Sequence, residues 1–240
     1  LTSGQRYNST ARVLITEGVF DQFADALAER IRNVRVGYGF DRDVFIGPVI
    51  SENFRTRYRR YGRTLLARGH SPIVPVGNVD LPKRHGFYVK PAAYAVNWDN
   101  GHAFLNDPPP GPNLLLYKVS NWEEAASLHN QFIYRNTTSI FTDANHPRVA
   151  ELGKRLRTGA MYVNRGTIAS SLRLPSAGLG RSSNGVPSGL ELVRFLSVPR
   201  ASVIETRPFD PSQVVPGVRW NLEEDISDEA TDIGHVPGRV

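Results

Sequence analysis

The chain has 240 residues, 40% of them hydrophobic, and a formal net charge of +6. This length allows one sizeable hydrophobic core, and the absence of cysteine excludes disulfides, thiolate metal sites and thiol nucleophiles. The charge is uneven, because residues 208–240 carry a net charge of −5 and residues 1–207 are strongly basic. We therefore predict a folded domain over 1–207 and a Pro-rich acidic tail over 208–240.

Strand and helix patterns alternate along the first part of the chain. A short apolar run predicts a strand at 12–16, and apolar residues recurring every three or four positions predict a helix over 18–34. Ser51 is a predicted N-cap of a second helix, which ends near Gly69. Its aromatic residues share one face, so the pattern favours a buried aromatic face with solvated arginines over a nucleic-acid interface.

The later elements continue this alternation. Asn121 and Glu124 predict a capping box that begins a helix through Asn130. Further helices are predicted at 147–157 and 188–196, and further strands at 73–76, 88–96, 114–119, 138–142, 161–164 and 201–206. Strands separated by helices are typical of an α/β fold with helices on the faces of a sheet.

The sequence also argues against a membrane-spanning protein, a secreted protein and a histidine metal site. There is no apolar run of the roughly 18 to 20 residues that a membrane span needs, and the first ten residues do not form a signal sequence, so we predict a soluble, cytoplasmic protein. The six histidines are scattered without helical pairing, and we therefore predict no metal site. Because the chain begins at Leu1 instead of methionine, we expect that an upstream portion is missing or was removed.

Seven short segments carry a resemblance to a known family. They are Gly4 to Tyr7, Ile46 to Ser51, Phe87 to Pro91, Gly111-Pro112, Tyr134, Thr158 to Asn164 and Pro175 to Gly178. In this order and at these spacings they resemble the second half of the aldehyde dehydrogenase superfamily, and residues 179–188 are most similar to the succinylglutamate semialdehyde dehydrogenase branch. The resemblance implies an aldehyde dehydrogenase-like catalytic domain over 1–207, with a mostly parallel sheet between helices. The family's dinucleotide-binding domain would lie upstream of Leu1.

The resemblance also identifies a substitution at the centre of the family's chemistry. The family's catalytic segment reads Gly-Gln-x-Cys, and its thiolate attacks the aldehyde carbonyl, whereas this chain has Tyr7 at the cysteine position. A phenol with a pKa near 10 is far less ionised at neutral pH than a thiol with a pKa near 8.5. Ser9 is a possible substitute nucleophile, but a hydroxyl needs a general base.

The family's cofactor and substrate segments have counterparts here as well. The resemblance implies NAD or NADP, but the ribose-binding glutamate falls at Pro108 and the aromatic residue beside the nicotinamide falls at Pro110. Asp107 is the nearby carboxylate that could replace the glutamate. The expected substrate loop contains Asn164, Arg165, Arg173, Ser176 and Arg181. Its arginines suit a small acidic semialdehyde.

These observations favour a semialdehyde oxidoreductase homologue with a degenerate active site, inactive as this chain alone. It would bind a small acidic ligand, or pair with another copy or a related subunit through the strand predicted at 201–206. One alternative is an active aldehyde oxidoreductase, or a related acyl-transfer enzyme, that uses Ser9 or Tyr7 as its nucleophile. A second is a basic module that binds nucleic acid or another anionic surface, although nucleic acid is the disfavoured partner.

Overall fold

The computed structural model describes residues 2–79, 81, 84–98, 103–168, 171, 173–175, 177–186 and 188–208. The chain divides into two units after Ser197, and every described helix and strand belongs to the first. The tail predicted at 208–240 lies outside the described residues from position 209 onward.

A four-stranded sheet forms the centre of the first unit. Its strands are β1 (Arg12–Thr16), β2 (Ser71–Val74), β3 (Ala92–Ala95) and β4 (Asn113–Val119), in the order β1-β4-β3-β2. Strands β1 and β3 both run parallel to β4, and only β2 at one edge is antiparallel to its neighbour. The predicted mostly parallel sheet is therefore confirmed.

Helices cover both faces of this sheet. Helix α1 (Glu17–Arg32) packs Phe20 against one face, in a core cluster that includes Leu116. Helices α2 (Glu52–Ala67) and α4 (Trp122–Gln131) pack on the other face, where Leu115 is buried. Leu115 and Leu116 are neighbours in β4, and successive strand residues point to opposite faces. The aromatic face of α2 is buried as predicted, with Tyr58 only 2% exposed.

Both predicted helix caps are formed. The Ser51 hydroxyl accepts a hydrogen bond from the Phe54 amide at 3.3 Å, and helix α2 begins at the next residue. The Asn121 side chain accepts from the Glu124 amide at 2.9 Å, while the Glu124 carboxylate accepts from the Ser120 amide at 2.7 Å. This reciprocal pair is a capping box, so these local signals determine where α2 and α4 begin.

Smaller elements complete the first unit. They are α3 (Ala103–Asn106), β5 (Tyr134–Arg135), β6 (Thr137–Ile140), α5 (Arg148–Arg155), β7 (Ala160–Val163), β8 (Leu179–Gly180) and α6 (Glu191–Phe195). Strand β6 runs parallel to β7, and β5 is antiparallel to β8. The β5–β8 pairing joins Leu179–Gly180 to the segment that follows α4.

Two predicted strands differ from the structure. The strand predicted at 88–96 is formed only at Ala92–Ala95, because Pro91 has no N–H to donate; Phe87 and Val89 make isolated bridges instead. The strand predicted at 201–206 is wrong, since these residues are exposed and have no strand structure. An apolar, β-branched composition favours a strand only where another strand pairs with it. The predicted pairing edge is therefore not formed in this chain.

Candidate functional site

A cleft of about 1080 Å³ lies beside the segment that precedes β1. Residues 4–7, 107–111 and 134–141 all contribute to its walls. Six of the residues predicted for the site line this one cleft. They are Tyr7, Ser9, Asp107, Pro108, Pro110 and Arg181. The structure thus brings together the expected nucleophile segment, the expected cofactor segment and one arginine of the expected substrate loop.

The other predicted site residues lie elsewhere. Arg165 and Arg173 are exposed, and neither lines the cleft. Asn164 has a φ of 52°, and its side chain is occupied by Thr142: its Oδ1 accepts from the Thr142 amide at 3.0 Å and its Nδ2 donates to the Thr142 carbonyl at 2.7 Å. Ser176 lies outside the described residues. The arginines predicted for the substrate loop therefore do not converge on one pocket.

Two of the segments behind the family resemblance are hydrogen-bonded to each other. The Ser3 hydroxyl donates to the Gly47 carbonyl at 2.9 Å. The Gln5 side chain accepts from the Ile50 amide at 2.8 Å. The Gly-Gln segment is thus fixed by the Gly-Pro segment more than 40 residues later, which fixes the backbone that carries Tyr7.

A close stack of two glycines and a tyrosine supports the same backbone. Gly4 has a φ of +69°, and a Cβ atom there would lie 2.1 Å from the Gly111 carbonyl oxygen. A Cβ atom on Gly111 would in turn lie 2.6 Å from the Tyr58 ring. The Tyr58 hydroxyl donates to the carbonyls of Lys90 and Pro112, at 2.9 and 3.1 Å, and burial raises the pKa of Tyr58. Glycine is needed at both positions because the side chain of any other residue would not fit.

The hydroxyl groups at the expected nucleophile position have no partners that would activate them. The Tyr7 side chain is 73% exposed, and its hydroxyl makes no hydrogen bond with any described residue. The same is true of the Ser9 hydroxyl. Thr10 is instead hydrogen-bonded to Thr167 at 2.9 Å. A hydroxyl nucleophile needs a base within hydrogen-bond reach, and the described part of the chain places none beside Tyr7 or Ser9.

The expected cofactor segment forms a rigid wall of the cleft. Pro109 is buried, and its carbonyl accepts a hydrogen bond from the side-chain Nδ2 of Asn113 at 3.1 Å. Asp107 is exposed and is the only carboxylate among the described residues that line the cleft. Pro108 and Pro110 contribute neither a carboxylate nor an aromatic ring. Among described residues, no three acidic or imidazole side chains are grouped as metal ligands.

The cleft has an excess of positive charge, of which the sequence predicted only the contribution of Arg181. Four arginines line it: Arg6, Arg12, Arg135 and Arg181. Two signals could have identified two of them. Arg135 replaces a glycine of the resemblance motif, and Arg12 is a charged residue at the start of an otherwise apolar strand. Among the lining residues that the structure describes, the carboxylate of Asp107 alone opposes these four cations.

His129 also lines the cleft, where the charges of Arg135 and Arg12 act on it. Burial lowers the pKa of His129 below its ordinary value of 6.5; Arg135 and Arg12 lower it further, while a hydrogen bond with the Arg157 backbone opposes the shift. Its Nε2 lies 3.4 Å from the Thr138 hydroxyl, and its ring is in edge contact with Phe132. The folded chain therefore favours neutral His129.

We expect this histidine to make folding stability pH-dependent. Below pH 6.5 the unfolded chain takes up a proton that the folded chain resists, so acid favours unfolding. The free energy of unfolding of the native chain should therefore fall more steeply from pH 7 to pH 5.5 than that of His129→Gln. Urea unfolding at several pH values measures both slopes. Equal slopes for the two proteins would contradict the effect, and His85→Gln, which replaces an exposed histidine outside the cleft lining, serves as the control.

Comparisons with known proteins agree on one family. The sequence profile of the Aldehyde dehydrogenase family matches residues 1–201. The alpha-ketoglutaric semialdehyde dehydrogenase of Bacillus subtilis is 26% identical over 184 residues, which cover 76% of this chain and 37% of that protein. A malonate-semialdehyde dehydrogenase of Listeria monocytogenes is 30% identical over 185 residues, which cover 77% of this chain and 37% of that protein. The chain thus spans well under half the length of these relatives.

Solved structures show the same fold. Betaine aldehyde dehydrogenase from Staphylococcus aureus, in complex with NAD+, superposes with a TM-score of 0.78 at 24% identity, over 89% of this chain and 43% of that one. An aldehyde dehydrogenase of Mycobacterium tuberculosis, also complexed with NAD+, superposes with a TM-score of 0.71 at 26% identity, over 79% of this chain and 39% of that one. None of the described helices is both long and apolar enough to cross a membrane. The chain belongs to the aldehyde dehydrogenase family.

Proposed function

We propose that this chain is the catalytic-domain part of a semialdehyde dehydrogenase homologue that binds a small acidic carbonyl compound without covalent thiol chemistry. Relatives named for malonate semialdehyde and alpha-ketoglutaric semialdehyde support this ligand class. The positive excess of the cleft lining supports an anionic ligand. The finer similarity to the succinylglutamate semialdehyde branch stays a prediction, as does a location in the cytoplasm.

The residue at the family's cysteine position supports the proposed loss of thiol chemistry. Tyr7 stands at the family's cysteine position, faces the cleft and has no activating partner among described residues, in a chain without any cysteine. A thiolate can attack a carbonyl and later leave as part of a thioester, whereas a neutral phenol is a poor substitute for the first step. The cleft therefore retains a binding surface but lacks the family's nucleophile.

The alternative with Ser9 as nucleophile has weaker support. Ser9 lines the cleft, as that alternative requires. However, His129, the histidine among the cleft residues, is engaged with Thr138 and not with Ser9. A serine hydroxyl without a base is almost entirely protonated at neutral pH. We therefore favour binding over acyl transfer.

The residues of the expected cofactor segment do not fit a nicotinamide dinucleotide. Pro108 offers no carboxylate to hold a ribose hydroxyl, and Pro110 offers no aromatic face for the nicotinamide ring. Asp107 supplies one acceptor, but the rigid prolines behind it fix its backbone. We derive no hydride transfer through NAD or NADP from the residues of this chain.

A combined binding and turnover assay tests the proposal. The full chain should bind malonate semialdehyde by isothermal titration calorimetry, yet form no NADH or NADPH at 340 nm above a protein-free control. Turnover that disappears in Tyr7→Phe would overturn the loss of chemistry. Turnover that survives Tyr7→Phe but disappears in Ser9→Ala would favour the serine alternative. Failure to bind any short acidic semialdehyde would overturn the ligand class.

A further inference from the structure

Two of the cleft arginines are held in place by backbone carbonyls. The Arg12 Nη2 atom donates to the carbonyls of Leu105 and Asn106, at 3.0 and 2.6 Å. Its guanidinium centre lies 4.5 Å from the centroid of the Phe132 ring. The Arg135 Nη1 atom donates to the Asn130 carbonyl at 2.5 Å. Both side chains are thus positioned before any ligand binds, which lowers the entropic cost of using them.

Neither of these cations forms an ion pair with a described residue, although the Asp107 carboxylate interacts electrostatically with Arg12. Among the described residues no carboxylate lies within 4.0 Å of Arg12 or Arg135, although seven other ion pairs are formed. The Nε atoms of both arginines are buried without a hydrogen-bond partner. Burial lowers the pKa of Arg12, while Tyr117, Tyr61 and Asp107 oppose the shift. A partly buried cation that forms no ion pair is destabilising, and an anion bound beside it in the cleft would relieve that cost.

Each arginine also retains a donor that could reach a ligand. Neither Arg12 Nη1 nor Arg135 Nη2 donates a hydrogen bond to another described residue, and neither atom is among the buried unpartnered atoms. The Arg135 Nη2 atom lies 3.3 Å from the position that a Cβ atom on Gly180 would occupy. A Cβ atom there would also lie 2.3 Å from the Ile133 carbonyl oxygen, and φ is +64°, so the backbone itself requires glycine beside this guanidinium. Both arginines line the same cleft as Tyr7.

We infer that Arg12 and Arg135 form a carboxylate-binding subsite in the cleft, which takes the acidic end of a small dicarboxylate or semialdehyde. The inference rests on the proposed function and deepens it, because it names the residues that recognise the acid group. Both arginines act electrostatically on His129, so they share one part of the cleft. Guanidinium N–H groups bind carboxylate oxygens through charge-assisted hydrogen bonds. The arginines first expected to do this, Arg165 and Arg173, do not line the cleft.

Calorimetry with malonate tests this subsite directly. The full chain should bind malonate at low ionic strength, more weakly as salt is added, and should bind neutral malonamide at least about tenfold more weakly, the loss expected for a charge-assisted hydrogen bond. Arg135→Gln should weaken malonate binding by about tenfold or more, and Arg135→Lys by less. Arg63→Gln, which removes an exposed charge on α2 outside the cleft, should leave the dissociation constant unchanged.

The outcomes separate recognition from a structural role. Circular dichroism and thermal unfolding show whether each variant folds, and the malonate-to-malonamide ratio of the native chain is independent of any variant. Equal affinity for malonate and malonamide, or an unchanged malonate affinity in folded Arg135→Gln, would overturn the inference. Inorganic phosphate that binds as tightly as malonate and competes with it would overturn the choice of a carboxylate. NADH formation by the native chain would contradict the proposed function while leaving this subsite standing.

Discussion

Replacing Gly4 with alanine should destabilise the protein severely. The φ of +69° at this position costs a residue with a Cβ atom about 1–2 kcal/mol. In addition, the new Cβ atom would lie 2.1 Å from the Gly111 carbonyl oxygen, which is backbone and cannot rotate away. Separating the two segments would disturb Tyr58, whose hydroxyl holds the Pro112 carbonyl. We expect a loss of about 3 kcal/mol or more in the free energy of unfolding, a large share of the stability of a typical domain.

Gly18→Ala is the matched control for this substitution. Gly18 lies in the first turn of α1, and a Cβ atom there would meet nothing within 4 Å. Alanine in a helix is more stable than glycine by roughly 0.5–1 kcal/mol, so this variant should be neutral or slightly more stable. Guanidinium unfolding monitored by circular dichroism compares the unfolding midpoints of the native chain, Gly4→Ala and Gly18→Ala. If Gly4→Ala unfolds at the same denaturant concentration as the native chain, the close approach to Gly111 is not a constraint.

Local signals explain why so much of the fold could be predicted from the sequence. Ser51 and Asn121 each accept a hydrogen bond from an amide three residues later, so the information for these helix starts lies within one turn. The short strand β5 could not be predicted in this way, because it consists of two residues, Tyr134 and Arg135, whose pairing partners in β8 are Gly180 and Leu179, far along the chain. The strand expected at 201–206 failed for the same reason, since local composition does not provide a partner.

The candidate site shows a similar division between local and distant information. The resemblance placed Tyr7 and Pro110 at one site, and both line the cleft. It could not show that the Arg12 guanidinium would be held by the carbonyl of Asn106, because that contact joins residues 94 positions apart. The role of Gly111 was equally hidden, since the need for a glycine comes from the ring of Tyr58. The motifs therefore predicted where the cleft lies. Which arginine side chains line it depends on contacts between distant residues, which the motifs do not contain.

Restoring the family's nucleophile should create a uniquely reactive thiol. Because the native chain has no cysteine, Tyr7→Cys would introduce its only thiol, at a position that is 73% exposed in a cleft lined by four arginines and one aspartate. Nearby positive charge favours the thiolate, and each unit of lowered thiol pKa raises the thiolate fraction about tenfold at neutral pH. We expect iodoacetamide to label Tyr7→Cys about threefold to tenfold faster at pH 7 than an ordinary surface thiol.

Phe40→Cys supplies that ordinary thiol for comparison. Phe40 is 87% exposed and lies outside the cleft lining, so the same aromatic-to-thiol change there should give unperturbed reactivity. Malonate semialdehyde should then slow the labelling of Tyr7→Cys but not of Phe40→Cys, because the thiolate adds reversibly to a bound aldehyde carbonyl. Mass spectrometry of intact protein measures both rates. If the aldehyde protects both thiols equally, or neither, the cleft does not place a carbonyl compound beside position 7, and the assignment of this surface as the remnant of the family's active site is wrong.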